Sequence, residues 1–256
     1  MPLLPSRMAP TSRMAPTSRM AKPPRMAPTA RMAKLPGWSH FSHNSHPSHN
    51  SHQNQQPMKQ KFDIIQSTCV PLPLENVDTD QIIPARFLKA TTRDEKFFGE
   101  NLFRDWRYDK EGNPKPDFVL NDPTYSGEIL VAGKNFGSGS SREHAAWAIA
   151  GYGFRVVISS FFADIHKNNE LNNFVLPVVV SEQFLAELFA SIKNDPKTQV
   201  KVDVPNQTVT NLATGKSERF DINGYKKYCL MNALDDIDFL LENKDKIEAY
   251  EEKKQC

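Results

Sequence analysis

From residue 62 onward, apolar and polar positions change period in an orderly way. Phe62-Asp63-Ile64-Ile65 predicts a first strand, leading to Cys69-Val70-Pro71-Leu72-Pro73-Leu74. Beyond residue 127, short apolar runs alternate with helical periods. Residues 128–132, 155–158 and 175–180 are strand-like, residues 142–152 and 163–172 helical, and residues 182–193 predict an amphipathic helix. The pattern then becomes β-type. Gln199 to Val204 alternates polar and apolar; turns at Asn206-Gln207 and Gly215-Lys216 lead into Thr208-Val209-Thr210 and Glu218-Arg219-Phe220. Residues 236–253 predict a closing helix with Ile237, Leu240, Leu241 and Ile247 roughly on one face. Strands and helices mixed in this order, with an antiparallel tail, predict a single α/β domain. Residues 89–127 break the pattern: rich in charge, aromatics, Gly, Pro and Asn, they predict a long excursion rather than regular structure. A loop of that length inside a compact domain implies a function for it.

The first 57 residues follow neither period. Arg-Met recurs every six residues from Arg7-Met8 to Arg31-Met32, and Ser-His every three from Ser39-His40 to Ser51-His52. Prolines interrupt both repeats, and so little apolar area cannot offset the entropy of ordering, so residues 1–57 are expected to be a disordered leader before a domain over 58–256. The leader holds seven Lys or Arg and no Asp or Glu, which leaves 25 basic against 30 acidic residues, a balance of −5, in the rest. The whole-chain charge of +2 therefore describes the leader, and no basic nucleic-acid surface is expected on the folded part. Loose metal binding by the five leader histidines, a transit peptide, and a misassigned start with Met58 as the natural beginning are competing readings. Proline content argues against an amphipathic import helix, which favours the misassigned start. There is no apolar run of membrane-spanning length. Cys69, Cys229 and Cys256 are far apart and form no C-x-x-C pair, so neither a metal site, nor a disulfide framework, nor a self-contained iron–sulfur cluster is expected.

The densest chemistry lies between the strand-like 129–132 run and the helix that follows. Gly137-Ser138-Gly139-Ser140-Ser141-Arg142-Glu143-His144 places glycines, hydroxyls and a guanidinium at a helix start. Glycines allow successive N–H groups to face one point, the helix N-terminus adds partial positive charge, and Arg grips a carboxylate or phosphate with two parallel bonds. Helix capping by Ser140 or Ser141, with Glu143 as partner, explains the serines alone. Two glycines, two hydroxyls and an Arg together point to an anion site. Dinucleotide signatures fit poorly, because Arg142 stands where the third glycine belongs. His144 falls inside the helix start and points away from Ser140, so it and His166 are expected to be packed, hydrogen-bonded histidines. Glu143 is expected to tie the loop to the helix start. Asn169 either orients the anion loop or bonds backbone.

Asn135 to Ala145 closely resembles the signature of the aconitase-family swivel domain, in the stand-alone form found in isopropylmalate dehydratases. Asn76 to Leu88 resembles that family's N-terminal signature, and Phe103 to Tyr108, Asn113-Pro114, Pro116 to Asn121, and Phe162 to Ile165 with Asn169 and Asn172 follow in family order. The resemblance spans roughly residues 58 to 250; Ser138 stands where many bacterial relatives have Cys. It implies a swivelling β/β/α domain of the aconitase C-terminal type. It also implies a hydro-lyase step of leucine biosynthesis, from 2-isopropylmalate through 2-isopropylmaleate to 3-isopropylmalate. Homoaconitase, citraconate and dimethylmalate dehydratases are close alternatives; a non-catalytic anion- or RNA-binding relative is a more distant one, which the −5 charge disfavours. In the family a [4Fe-4S] cluster resides on a large subunit, so this chain would bind no cofactor itself. It would act in the cytoplasm, in a heterodimer or higher assembly, on a dicarboxylate and away from nucleic acid and membranes. Carried over by position, Ser140 matches the serine that removes the α-proton, and Ser141 and Arg142 match residues that bind a substrate carboxylate. Asp80 matches an aspartate that positions polar groups, with a capping or turn carboxylate as its plainer role, and Gly139 belongs to the substrate loop. Arg86 and Arg93, with Arg104 and Arg107, lie where the family reads the γ-substituent, and Phe87, Leu88, Phe97 and Phe98 would wall an isopropyl group.

Overall fold

The computed structural model describes residues 59–90 and 94–254. The repeat leader, Arg93 and Cys256 lie outside the described residues. The chain runs β1 (Ile64–Leu72), α1 (Thr79–Ile82), α2 (Glu95–Glu100), α3 (Arg104–Arg107), β2 (Ile129–Ala132), α4 (Glu143–Tyr152), β3 (Val156–Ser159), α5 (Asp164–Asn172) and β4 (Leu176–Val179). It continues through α6 (Glu182–Asn194), β5 (Gln199–Asp203), β6 (Thr208–Asn211), β7 (Ser217–Arg219), α7 (Gly224–Asn232), α8 (Asp236–Glu242) and α9 (Lys244–Lys254).

The strands form one sheet in the order β4-β3-β2-β1-β5-β6-β7. Its first four strands are parallel, with Cys69 opposite Ile129; the rest are antiparallel, with Ile65 opposite Val202. The first strand is thus the seam between two kinds of pairing. Each central parallel strand is buried on both faces, which is why 129–132 and 156–158 read as unbroken apolar runs. Ile129 and Val131 enter one core with Phe184 and Leu188 of α6. Leu130 and Ala132 enter the other with Ile149 of α4 and Phe98 of α2.

The excursion over 89–127 is not irregular, and the expectation is corrected. It holds two short helices and a 3-10 turn at Val119–Asn121, and it buries Phe98, Leu102 and Phe103. Helices of four to six residues are too short to show a period. Of the two, α2 crosses α4 at glycines: a Cβ on Gly99 would lie 2.2 Å from the carbonyl oxygen of Gly151. At the C-terminus the single expected helix is two, separated at Asn243, and Ile237, Leu240 and Leu241 are exposed rather than packed. Among the described residues no helix is long and apolar enough to cross a membrane.

Candidate active site

The second strand ends at Ala132, and the chain reaches α4 through a turn with three left-handed residues, Asn135, Gly137 and Gly139 (φ 63°, 74° and 90°). Gly137 is required twice over, because a Cβ there would also lie 2.0 Å from the His166 ring. The turn is laced to the start of α1 and the residues just before it. Gly137 and Ser138 N–H both donate to Val77 O (2.8 and 3.1 Å), and Thr79 N–H donates to Ser138 O (2.9 Å). The Thr79 hydroxyl donates to Ser140 O at 2.8 Å, and Asn135 Nδ2 donates to Asn76 Oδ1 at 2.8 Å. The two signature segments, 60 residues apart in sequence, thus form one surface.

Neither serine caps α4. The N-cap is Arg142, which makes no side-chain capping bond, so the capping explanation of the serines does not hold. Ser140 and Ser141 are exposed, and no hydrogen bond engages either hydroxyl among the described residues. Nor do the backbone N–H groups of residues 139–143 donate one to a described backbone partner. These donors sit at the positive end of α4 and are available to an anion. Arg142 reaches back to Asp80 in the first turn of α1, forming an ion pair through Nη1 and Oδ1. Asp80 itself is not the cap of that helix; Asp78 is, in a capping box with Gln81. Gly139, Ser140, Ser141 and Arg142 line a cavity of about 250 Å³ with Ile165 and His166 of α5.

The remaining candidates divide. His144 packs between Phe98 and Trp147, with ring centroids 5.4 and 4.4 Å away, and burial pushes its pKa down. Packing is as expected; the expected hydrogen bond is not made among the described residues. His166 packs on Phe136, and its Nε2 lies 3.1 Å from Glu170 Oε1. Glu143 ties α4 not to its own loop but to Asn173, which donates from Nδ2 at 3.1 Å. The Asn169 carbonyl accepts from the same Nδ2 at 2.7 Å. Arg86 forms a two-bond pair with Asp105, which holds that carboxyl below its usual range, and lies over Phe87. It lines a second cleft, of about 930 Å³, with Arg104 and Tyr108, and not the cavity beside Ser140. Arg107 is buried and donates to Asn121 Oδ1 and to the carbonyls of Glu100 and Leu102, so it braces the excursion. Phe98 is likewise core, whereas Phe87 and Phe97 meet edge to face at 5.9 Å. Sequence reasoning passed over Thr79 and Asn76, although both stand inside the N-terminal signature, because their roles depend on which loop lies beside them.

A family model described as the Aconitase C-terminal domain matches residues 59–183, and one described as LeuD_N matches residues 186–224. Over 193 residues the chain is 63% identical to the 3-isopropylmalate dehydratase small subunit of Azobacteroides pseudotrichonymphae, covering 75% of this chain and 97% of that protein. The chain belongs to this small-subunit family. Its counterpart in Cytophaga hutchinsonii is 62% identical over 192 residues, covering 75% of this chain and 94% of that one. A crystal structure of 3-isopropylmalate dehydratase from Methanocaldococcus jannaschii superposes with a TM-score of 0.53 at 24% identity, covering 73% of this chain and 99% of that one; it shows the fold. The swivel-domain architecture of the family is therefore the architecture of this chain. Within this small-subunit fold, no group of three or more His, Cys, Asp or Glu among the described residues is placed to hold a metal ion. Cys69 and Cys229 are buried, and burial pushes the Cys69 thiol up to about 12.

Proposed function

We propose that the chain is the non-cluster subunit of a 3-isopropylmalate dehydratase and works with a large subunit in the cytoplasm. It would interconvert 2-isopropylmalate and 3-isopropylmalate through 2-isopropylmaleate. The observation that carries this reading is the exposed Gly139 to Arg142 turn, with its unengaged N–H groups and hydroxyls beside an Arg142 held by Asp80. A [4Fe-4S] cluster on the large subunit would supply Lewis acidity for the departing hydroxyl. Ser140 accepts the α-proton, and the surrounding N–H donors stabilise its alkoxide, which a free hydroxyl could not sustain. Arg142 and Ser141 hold a substrate carboxylate, and Asp80 keeps the guanidinium oriented. Proton and hydroxide leave adjacent carbons, and water then returns with the two positions exchanged. Gly139 lets the backbone approach the carboxylate. We assign Arg86 and Arg93 to the region that meets the γ-substituent once the partner is bound.

The test is reconstitution. The purified chain alone should show no turnover of 2-isopropylmalate and no iron–sulfur absorption, and activity should appear on mixing with the large subunit. Turnover by the isolated chain, or a mixture active on homoaconitate but not on 2-isopropylmalate, would sink the reading.

A further inference from the structure

Directly behind the catalytic turn lies a pair of ionisable side chains with no place in the chemistry above. His166 and Glu170, one helical turn apart on α5, are 2% and 0% exposed. Nε2 and Oε1 approach to 3.1 Å, and neither side chain has another polar partner among the described residues. Burial holds the Glu170 carboxyl above its ordinary range, with the neighbouring imidazole opposing that shift. An apolar pair of similar volume would fill this space at less cost in desolvation, so packing alone does not account for it. The position of the pair suggests what does. The Cβ–Cγ–Cδ2 edge of His166 occupies the space a Gly137 side chain would need, with Cδ2 2.0 Å from the ideal Cβ position. His166 is also among the residues that line the cavity beside Ser140.

The turn therefore has two supports. Thr79 holds Ser138 O and Ser140 O through its N–H and hydroxyl. His166 sets the position of Gly137 by contact. Arg142 is held separately, by Asp80. We propose that His166 and Glu170 are a positioning pair for the catalytic turn: the carboxyl anchors the imidazole, and the imidazole edge fixes the backbone that carries Ser140. This rests on the reading of Ser140 as the proton acceptor. Because the carboxylate grip has its own anchor, loosening the pair affects the chemical step more than substrate binding. A displacement of about 1 Å in a reacting group is enough to cost on the order of 10²-fold in rate.

The test uses the full chain in complex with its large subunit, comparing His166→Phe, Glu170→Leu and Glu170→Gln. The Phe and Leu variants should lose about ten-fold or more in kcat, with KM within about two-fold and Tm unchanged or raised. Glu170→Gln, which keeps a polar atom facing the imidazole, should recover at least about a third of the turnover. Amide exchange in residues 137–142 should quicken in Glu170→Leu and not in the helices around it. Full kcat with undisturbed exchange in both apolar variants overturns the proposal. So does failure of Glu170→Leu to fold, because the pair would then hold the domain rather than the turn. If Ser140→Ala retained full turnover, the functional reading would fall instead, and the exchange result alone would judge the pair.

Discussion

Ser140 and Arg142 stand two residues apart, yet their loss should register in different quantities. Ser140→Ala removes the proton acceptor, so kcat should fall by about 10²–10⁴-fold, and exchange of the substrate α-proton with solvent should disappear. Because Ser140 caps no helix, the melting temperature should barely move. Retained exchange in that variant would place the base elsewhere. Arg142→Lys keeps the charge but loses the planar fork, and kcat/KM should fall on the order of 100-fold, about 3 kcal/mol. Near-normal kcat/KM would dissolve the clamp. At this scale the sequence was informative about residue type but not about pairing. Strand, Gly-Ser turn and helix start made the anion loop legible at 137–142. That Asp80 meets Arg142 while Arg86 meets Asp105 depends on which segments fold beside one another. Arg104 and Arg107 read alike in sequence, yet one lies over the Tyr108 ring at 3.9 Å and the other is buried against backbone carbonyls.

Among the elements, the crossing of α2 and α4 is set by two glycines rather than by interlocking side chains. A Cβ on Gly151 would lie 2.1 Å from Glu95 O, so Gly151→Ala must push the helices apart. It should cost about 1–3 kcal/mol, lowering Tm by roughly 3–10 °C in a thermal melt. The same crossing aligns Phe98 with His144 and Trp147. Kinetic effects of Gly151→Ala should therefore accompany the thermal one; a stable variant would mean the crossing is looser than it looks. Elements with a sustained period were visible beforehand, notably α4 and α6. The helix at 224–232 was not, because among its residues only Cys229 and Leu230 are buried and no apolar stripe forms. Asn223 does cap it, bonding Tyr225 and Lys226 N–H, which is a signal that could have been used. The C-terminal pattern misled in the other direction, since its apolar stripe predicts packing that the described residues do not provide.

For the molecule as a whole, stability should reside in the domain that begins near Met58. A chain starting there should melt like the full-length protein and show equal activity with the large subunit; a large loss of either would give residues 1–57 a role that their repeats do not suggest. Cys69 offers a probe of global opening, since burial on β1 pushes its thiol up to about 12. Maleimide labelling of Cys69, resolved from the other cysteines by peptide mapping, should be negligible at pH 8 in the native state and become rapid only in denaturant; ready native labelling of Cys69 would contradict that burial. The placement of β1 has a further consequence, for how the protein is made. This strand leaves the ribosome ahead of the two strands it lies between, yet it pairs Cys69 with Ile129 and Thr68 with Gln199. At synthesis rates of roughly 5–20 residues per second, its second edge stays open for on the order of 10 s after it emerges. During that interval a nascent chain carries an apolar strand with an unmatched row of backbone donors and acceptors. Chaperone demand during translation, rather than the stability of the finished domain, would then limit how much of this protein a cell can accumulate.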